Sequence, residues 1–147
     1  MRAFPQAHIT MFFGMAAISF FVMPFVMIAS PSDWRPSLNQ AYAAVFMGAT
    51  MAALEGWMHP MPWWAWTLTV AIAVASVWAI RTQAFVYSRE YLHDMMPHHS
   101  MAVLTSEQFL RKEGTDPAVR RLAEVILSTQ RDEIAWMRKH LAANYIL

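Results

Sequence analysis

Residues 91–104, YLHDMMPHHSMAVL, place three histidines and three methionines around a single proline. Imidazole nitrogen and thioether sulfur both bind metals, and thioethers favour soft ions such as Cu(I) or Ag(I). His98 and His99 follow Met95 by three and four residues, which in a helix brings the three donors to neighbouring positions. The same residues could form a kinked amphipathic helix, with flexible methionines filling its core and each histidine hydrogen-bonded. The stretch alone leaves both interpretations open.

Composition excludes several other kinds of site. The chain has no cysteine, so it offers neither a disulfide nor a thiolate ligand. Its net charge is +1, with positive and negative residues intermixed, so the sequence does not indicate the basic patch of a nucleic-acid-binding protein. Ser100 stands beside His99, but no oxyanion hole or nucleophile elbow accompanies it. A di-iron bundle needs a Glu-x-x-His motif on each of two paired helices, and the sequence does not have this. We therefore expect a binding protein with no catalytic residues, not an enzyme.

An uneven distribution of charge divides the chain into two parts. The first 80 residues contain only four charged side chains: Arg2, Asp33, Arg35 and Glu55. All other charged residues lie in 81–147, intermixed with apolar ones as in ordinary amphipathic helices. We predict a membrane domain over residues 1–82 and a helical domain over 83–147.

Three apolar runs in the first part are typical of membrane spans, at about residues 9–29, 41–58 and 63–80. Each is long enough to cross about 30 Å of hydrocarbon, and the third begins with WWAW, a belt suited to the interface. A cleaved signal peptide competes for the first run, which is longer than such peptides require and lacks a clear cleavage site. Glu55 either reaches the headgroups or is a functional intramembrane carboxylate. Methionines spaced i, i+4 in these runs fit packing better than an ion path.

Proline, glycine and helix-capping residues predict where two helices begin and end in the second part. Between Trp63 and Met96 no break is evident, so the third span can continue as one long helix until Pro97 kinks or restarts it. Gly114 stops the next helix, and Thr115 or Asp116 caps the one that follows. Helix A should cover about 98–113 and helix B about 117–143, packed antiparallel because their connection is short.

The polar residues on the facing sides of these two helices fall at one level. Helix B carries a stripe at 3,4 spacing: Val119, Leu122, Ile126, Gln130, Glu133, Met137 and Leu141. A turn near residues 114–115 pairs positions as follows: Gln130 with His99, Glu133 with Met96, and Met137 with Leu92. An unpaired polar group in an apolar seam costs about 1–3 kcal/mol, so these groups should pair with each other or bind something.

The segments MMPHHSMAVLTSE and TDPAVRRLAEVILSTQRDEIAWM resemble the bacterial family catalogued as domain of unknown function 305. The resemblance covers about residues 89–141, and the upstream part is similar to that family's membrane-anchored branch with three spans. It implies a ferritin-like helical protein, often extracytoplasmic and in some members associated with copper binding and tolerance. The residues that match its motifs are Met95, Pro97, His98, His99, Gln130, Glu133 and Met137. Met96 replaces the family's usual isoleucine, and His93 and Met101 are additions.

With this resemblance we predict an all-α protein: three transmembrane helices followed by an antiparallel helical hairpin, which is a ferritin-like half-bundle. The hairpin should bind Cu(I), or else silver or zinc, and the expected metal-site residues are Met95, His98, His99, Met137 and Glu133. Glu133 and Gln130 would mainly orient an imidazole through its second nitrogen. Further candidate ligands are His93, Met101 and His140. The rival hypothesis is a structural or interaction module with a buried His–Glu pair and no metal.

The expected partners are membrane lipid and a second copy of the chain, since a two-helix unit leaves one side open and a homodimer or higher homo-oligomer would complete a four-helix bundle. The expected location is the bacterial inner membrane, with several spans. Arg35, Arg81 and Arg89 against Arg2 would place the charged part in the cytoplasm by the positive-inside rule. The resemblance favours an extracytoplasmic C-terminal domain, and we follow the resemblance.

Overall fold

A computed structural model describes residues 6–145 of the chain, and every regular element in that range is helical, which confirms the all-α class. The elements are α1 (Gln6–Ala17), a π-helical turn (Ile18–Val22), α2 (Met23–Met27), a 3-10 turn (Pro31–Asp33), α3 (Leu38–Met58), α4 (Trp63–Thr82), α5 (Ser88–Leu110) and α6 (Pro117–Asn144). They form two compact units. The first contains the described residues up to 23 together with 38–86, and the second contains 24–37 together with the described residues from 87 onward. Segment 24–37 lies within the predicted membrane domain of residues 1–82, but in the structure it groups with the charged helices.

The first unit has small residues inside and large apolar residues outside. In it α3 packs against both α1 and α4, and its buried face is formed mainly by alanine and glycine. A Cβ atom at Gly48 would lie 2.7 Å from the carbonyl oxygen of Phe12, so only glycine allows α1 and α3 to approach this closely. Large side chains point outward, among them Ile9, Phe13, Leu54, Leu68, Val74 and Trp78. So extensive an exposed apolar surface requires lipid or protein to cover it.

Two of the three predicted spans are long and apolar enough to cross a membrane: Gln6–Met27 and Trp63–Thr82. The predicted span at 41–58 lies in α3, which is not apolar enough to meet the same criterion. The predicted number of membrane spans is therefore corrected from three to two. Glu55, Thr50 and two glycines dilute the apolar character of α3. None of the first apolar window and only 22% of the second is buried, so neither is the covered core helix of a soluble protein.

A proline interrupts the first long helix without ending it. Pro24 has no N–H to donate to the carbonyl oxygen of Phe20, four residues earlier. The preceding turn widens to a π-helix, and the side-chain amide of Gln40 donates to the Phe20 carbonyl at 2.6 Å. The freed acceptor is thereby satisfied inside the protein, as an apolar environment requires. The methionines Met11 and Met47 are exposed on this unit and do not line an interior path.

The helices α4 and α5 are separate, so the expectation of one helix continuing to Met96 is wrong. Gln83 adopts a left-handed conformation with φ of 53°, which ends α4, and Phe85 also has positive φ. Side chains of α3 hold this turn, because Asn39 donates to the Gln83 side chain at 2.8 Å and the Tyr42 hydroxyl donates to the Ala84 carbonyl at 2.9 Å. Such long-range contacts can impose a left-handed residue that the local sequence does not signal.

In the second unit α5 and α6 pack against each other, and α5 runs unbroken through Pro97. Helix A was predicted to begin at 98 and end at 113, whereas α5 begins at Ser88 and ends at Leu110. The predicted cap of the following helix is confirmed, because Oδ1 of Asp116 accepts from the Ala118 amide at 2.7 Å.

The core of this helix pair is a cluster of five buried residues: Leu92, Met96, Val103, Ile134 and Met137. The predicted stripe of α6 is rotated at its start, since Val119 and Leu122 are 46% and 58% exposed whereas Ala123 is buried. The face of α6 turned toward α5 therefore follows Ala123, Ile134 and Met137, and a second apolar stripe remains at the surface.

Candidate metal site

The soft donors predicted for the site gather on the core of the helix pair. Met137 belongs to the buried cluster, and Met95 packs against it from a partly buried position. Met96, which departs from the family pattern, is the most deeply buried of the three, with 0% exposure. Thioethers from both helices thus share one apolar cluster.

His99 and Glu133 meet across the seam, with Nδ1 of the imidazole 3.2 Å from Oε2 of the carboxylate. Counting along the backbones had placed Gln130 level with His99 and Glu133 level with Met96. Helical side chains tilt toward the N-terminus of their own helix, and in an antiparallel pair this tilt carries the two side chains toward each other. Glu133 consequently contacts the histidine one turn away from its own backbone level.

Burial lowers the pKa of His99 below its ordinary value, the Glu133 carboxylate acts in the opposite direction, and nearby His98 adds to the lowering. The imidazole is therefore neutral near pH 7, the state in which it can bind a metal. Nδ1 is shielded from solvent and faces the carboxylate at ion-pair distance, without the angles of a regular hydrogen bond. A proton on Nδ1 leaves Nε2 with a free lone pair, which is how a carboxylate orients a metal-binding histidine.

The other predicted residues occupy different surroundings. His98 is exposed, while Met101 and Gln130 are partly buried. Nδ1 of His93 lies 3.2 Å from the carbonyl oxygen of Pro36. His140 stacks on the ring of Trp136, with centroids 4.8 Å apart, so its ring is engaged in an aromatic contact near the end of α6.

Nitrogen and oxygen donors alone do not make a metal site in residues 6–145, because no three histidine, aspartate or glutamate side chains converge there. A site in the helix pair therefore needs the methionine sulfurs. One neutral imidazole with thioethers from Met95 and Met137 is a donor set that suits a soft monovalent cation better than Zn²⁺, which favours thiolates and several histidines.

A polar cluster around Asp33 was not anticipated from the sequence. Asp33 is only 3% exposed, its Oδ2 accepts from the Ser100 hydroxyl at 2.7 Å, and its Oδ1 forms an ion pair with Arg138. Arg138 also donates to the Ser32 hydroxyl at 2.9 Å, and the Ala29 amide donates to Ser100 at 2.9 Å. Segment 29–37 is thereby fastened to both helices. The only available signal was that Asp33 is one of two acidic residues in the first 80.

The same segment contacts α5 nearer its start, where the Ser37 hydroxyl donates to Oδ1 of Asp94 at 2.8 Å. Ser100 is fully buried, and its hydroxyl both donates to Asp33 and accepts from the Ala29 amide. Its position next to His99 in the sequence thus reflects a structural contact of the segment.

Residues 88–145 match the family described as Domain of unknown function (DUF305). The uncharacterized protein L153 of Acanthamoeba polyphaga mimivirus is 40% identical over 74 residues, which cover 50% of this chain and 48% of that protein. The chain thus spans about half the length of the curated relative it matches. No solved structure shows significant similarity. The matched segment holds all of α5 and α6, and this helix pair belongs to the DUF305 family.

Proposed function

We propose that this protein is a membrane-anchored binding protein for Cu(I) or Ag(I), acting in metal buffering or tolerance without catalysing a reaction. The observation that carries the proposal is the neutral His99, oriented by Glu133, on a seam whose core contains Met137 and receives Met95. The ligands are Nε2 of His99 and the two sulfurs, and exposed His98 joins them by rotating its side chain. Imidazole and thioether are neutral ligands when they bind a metal, which suits a monovalent soft ion.

The anchoring part of the proposal rests on the outer surface of the first unit. Apolar side chains cover the outside of α1 and α4, and α3 packs against both of them with its small residues. We take the helices Gln6–Met27 and Trp63–Thr82 to cross the bilayer and the helix pair to be extracytoplasmic. Protease accessibility of the C-terminal part in intact cells tests the orientation, and the mass of the mature protein tests whether the first span is retained.

A second copy of the chain is the proposed partner of the helix pair. A groove on its surface is lined by Thr105, Ser106, Phe109, Val119, Leu122, Ala123 and Ile126. Val119 and Leu122 are exposed there although apolar, and a second helix pair seated on this face would complete a four-helix bundle. The oligomeric mass in detergent tests this, and Leu122→Glu should yield monomers if the groove is the contact.

Competition titration with a Cu(I) chelator tests the metal site in the full chain. Removing the carboxylate partner of a ligating histidine typically weakens binding by about 10–100-fold, so the loss of the ligands themselves should exceed this. We expect the His98→Ala/His99→Ala variant to lose one tight Cu(I) equivalent. His140→Ala removes a histidine that is stacked on Trp136, and this control should titrate as the wild type does. Unchanged stoichiometry and affinity in the double variant would refute the proposal.

The structural alternative is favoured by the polar cluster of Asp33, Ser100 and Arg138, whose groups satisfy one another without metal. In this alternative, His99 and Glu133 likewise satisfy each other as a polar pair and bind no metal. Ligand present at 100 times its dissociation constant stabilises the folded state by about 2.7 kcal/mol. If neither Cu(I) nor Ag(I) shifts the unfolding temperature of the helix pair, this alternative explains the seam better.

A further inference from the structure

The turn between α3 and α4 is a second place where histidine, methionine and a carboxylate come together. Residues 55–62 read EGWMHPMP. Glu55 is 5% exposed, and its Oε1 lies 3.6 Å from Nε2 of His59, whose side chain is 64% exposed. The buried carboxylate thus faces one nitrogen of an accessible imidazole.

The side chain of Met61 folds back over the last turn of α3. A Cβ atom at Gly56 would lie 3.0 Å from Sδ of Met61 and 2.7 Å from its Cε. The thioether therefore lies against α3 at Gly56, which is one residue along the helix from Glu55 and three from His59. Glycine at position 56 leaves the space that this sulfur occupies.

Backbone constraints keep these groups together. The amide of His59 donates to the carbonyl of Glu55 at 2.8 Å, which continues the helical geometry up to the histidine. Pro60 and Pro62 flank Met61, and each fixes one backbone torsion of the turn. A turn restrained in this way loses less conformational freedom when it binds a ligand.

We propose that His59 and Met61 form a second binding site for a soft monovalent cation, Cu(I) or Ag(I), separate from the helix pair. Because Nε2 of His59 faces Glu55, Nδ1 is the nitrogen that binds the ion, and the carboxylate orients the ring and offsets the positive charge. Sδ of Met61 supplies the second ligand. Met58, adjacent to His59 in the chain and half exposed, supplies a third.

The experiment uses the full chain in detergent, in a His98→Ala/His99→Ala background that removes the helix-pair site. Cu(I) is titrated against a chelator, and X-ray absorption identifies the ligands. We expect one Cu(I) to remain bound, with sulfur and nitrogen ligands. Adding His59→Ala or Met61→Leu should lower its affinity by at least about tenfold. The control Met47→Leu, which changes an exposed methionine elsewhere on α3, should leave it unchanged.

Gly56→Ala separates a metal site from mere packing. The new Cβ mainly displaces the flexible end of Met61, although Cβ of Met61 also lies 3.3 Å away. Because alanine is favoured over glycine in a helix by about 1 kcal/mol, thermal stability should change little. Cu(I) affinity should nevertheless fall by at least about tenfold. A background protein that binds no Cu(I), or affinity unaffected by the changes at 56, 59 and 61, would overturn the inference. The reciprocal His59→Ala/Met61→Leu chain reports the helix-pair site alone, so failure of one site is distinguishable from failure of the other.

Discussion

The buried hydroxyl of Ser100 should control how firmly segment 29–37 is held. Ser100→Ala removes the donor to Oδ2 of Asp33, in a buried environment, and the acceptor of the Ala29 amide, in a partly buried one. Leaving such groups unsatisfied costs about 1–3 kcal/mol each, and a bond to a charged group lies toward the upper end of this range. Arg138 is about half exposed and keeps its ion pair with Asp33, which limits the loss. We expect local opening of the segment to become easier by about 2 kcal/mol.

Amide hydrogen exchange at Ala29 measures this change directly. A loss of about 2 kcal/mol in local opening free energy corresponds to roughly 30-fold faster exchange, since about 1.36 kcal/mol is a factor of ten. Ser106→Ala is the matched control, because Ser106 is a buried serine on the same helix that lines the groove. Exchange at Ala29 that is as slow in Ser100→Ala as in Ser106→Ala would refute the hydrogen-bonded attachment of the segment.

Three further changes test other parts of the structure. Met96→Ala should destabilise the helix pair by about 2–5 kcal/mol in chemical unfolding, because Met96 is fully buried in its core, and a loss below about 1 kcal/mol would contradict this packing. Gly48→Leu should disrupt the first unit and lower the yield of folded protein, whereas Gly14→Leu, at a position with nothing within 4 Å, should not. Burial lowers the pKa of His99 in the folded state, so the unfolded chain binds its proton first and stability should fall as the pH drops below about 6.5. His99→Gln should remove part of this pH dependence in unfolding scans between about pH 7 and 5, and identical slopes would contradict the assignment.

The sequence was most informative where a signal was local. Asp116 followed by proline predicted a helix start that the structure confirms. The division between uncharged and charged halves predicted that the apolar helices would precede the amphipathic pair. The meeting of polar groups between the two helices also followed from spacing, although side-chain tilt selects Glu133 as the partner of His99 where backbone counting had selected Gln130.

Features that depend on distant residues could not be predicted. Asp33 and Arg138 are far apart in the chain, and neither belongs to a periodic pattern that would indicate their ion pair. The end of α4 depends on Gln83 in a left-handed conformation, a role that sequence reasoning assigns to glycine or asparagine. Pro97 suggested a helix start, but α5 continues through it. The packing of buried α5 residues before and after the proline outweighs the one missing backbone hydrogen bond.

In the proposed site, Nε2 of His99 binds a soft metal while its Nδ1 proton stays directed at Glu133. Nitrogen-15 spectra of the histidine side chains, recorded on the full chain in detergent with and without Ag(I), observe this directly in a protein with six histidines. We expect Ag(I) to shift the Nε2 resonance of His99, and Met137→Leu to weaken this shift. An unshifted His99 at saturating Ag(I) would contradict the proposed site.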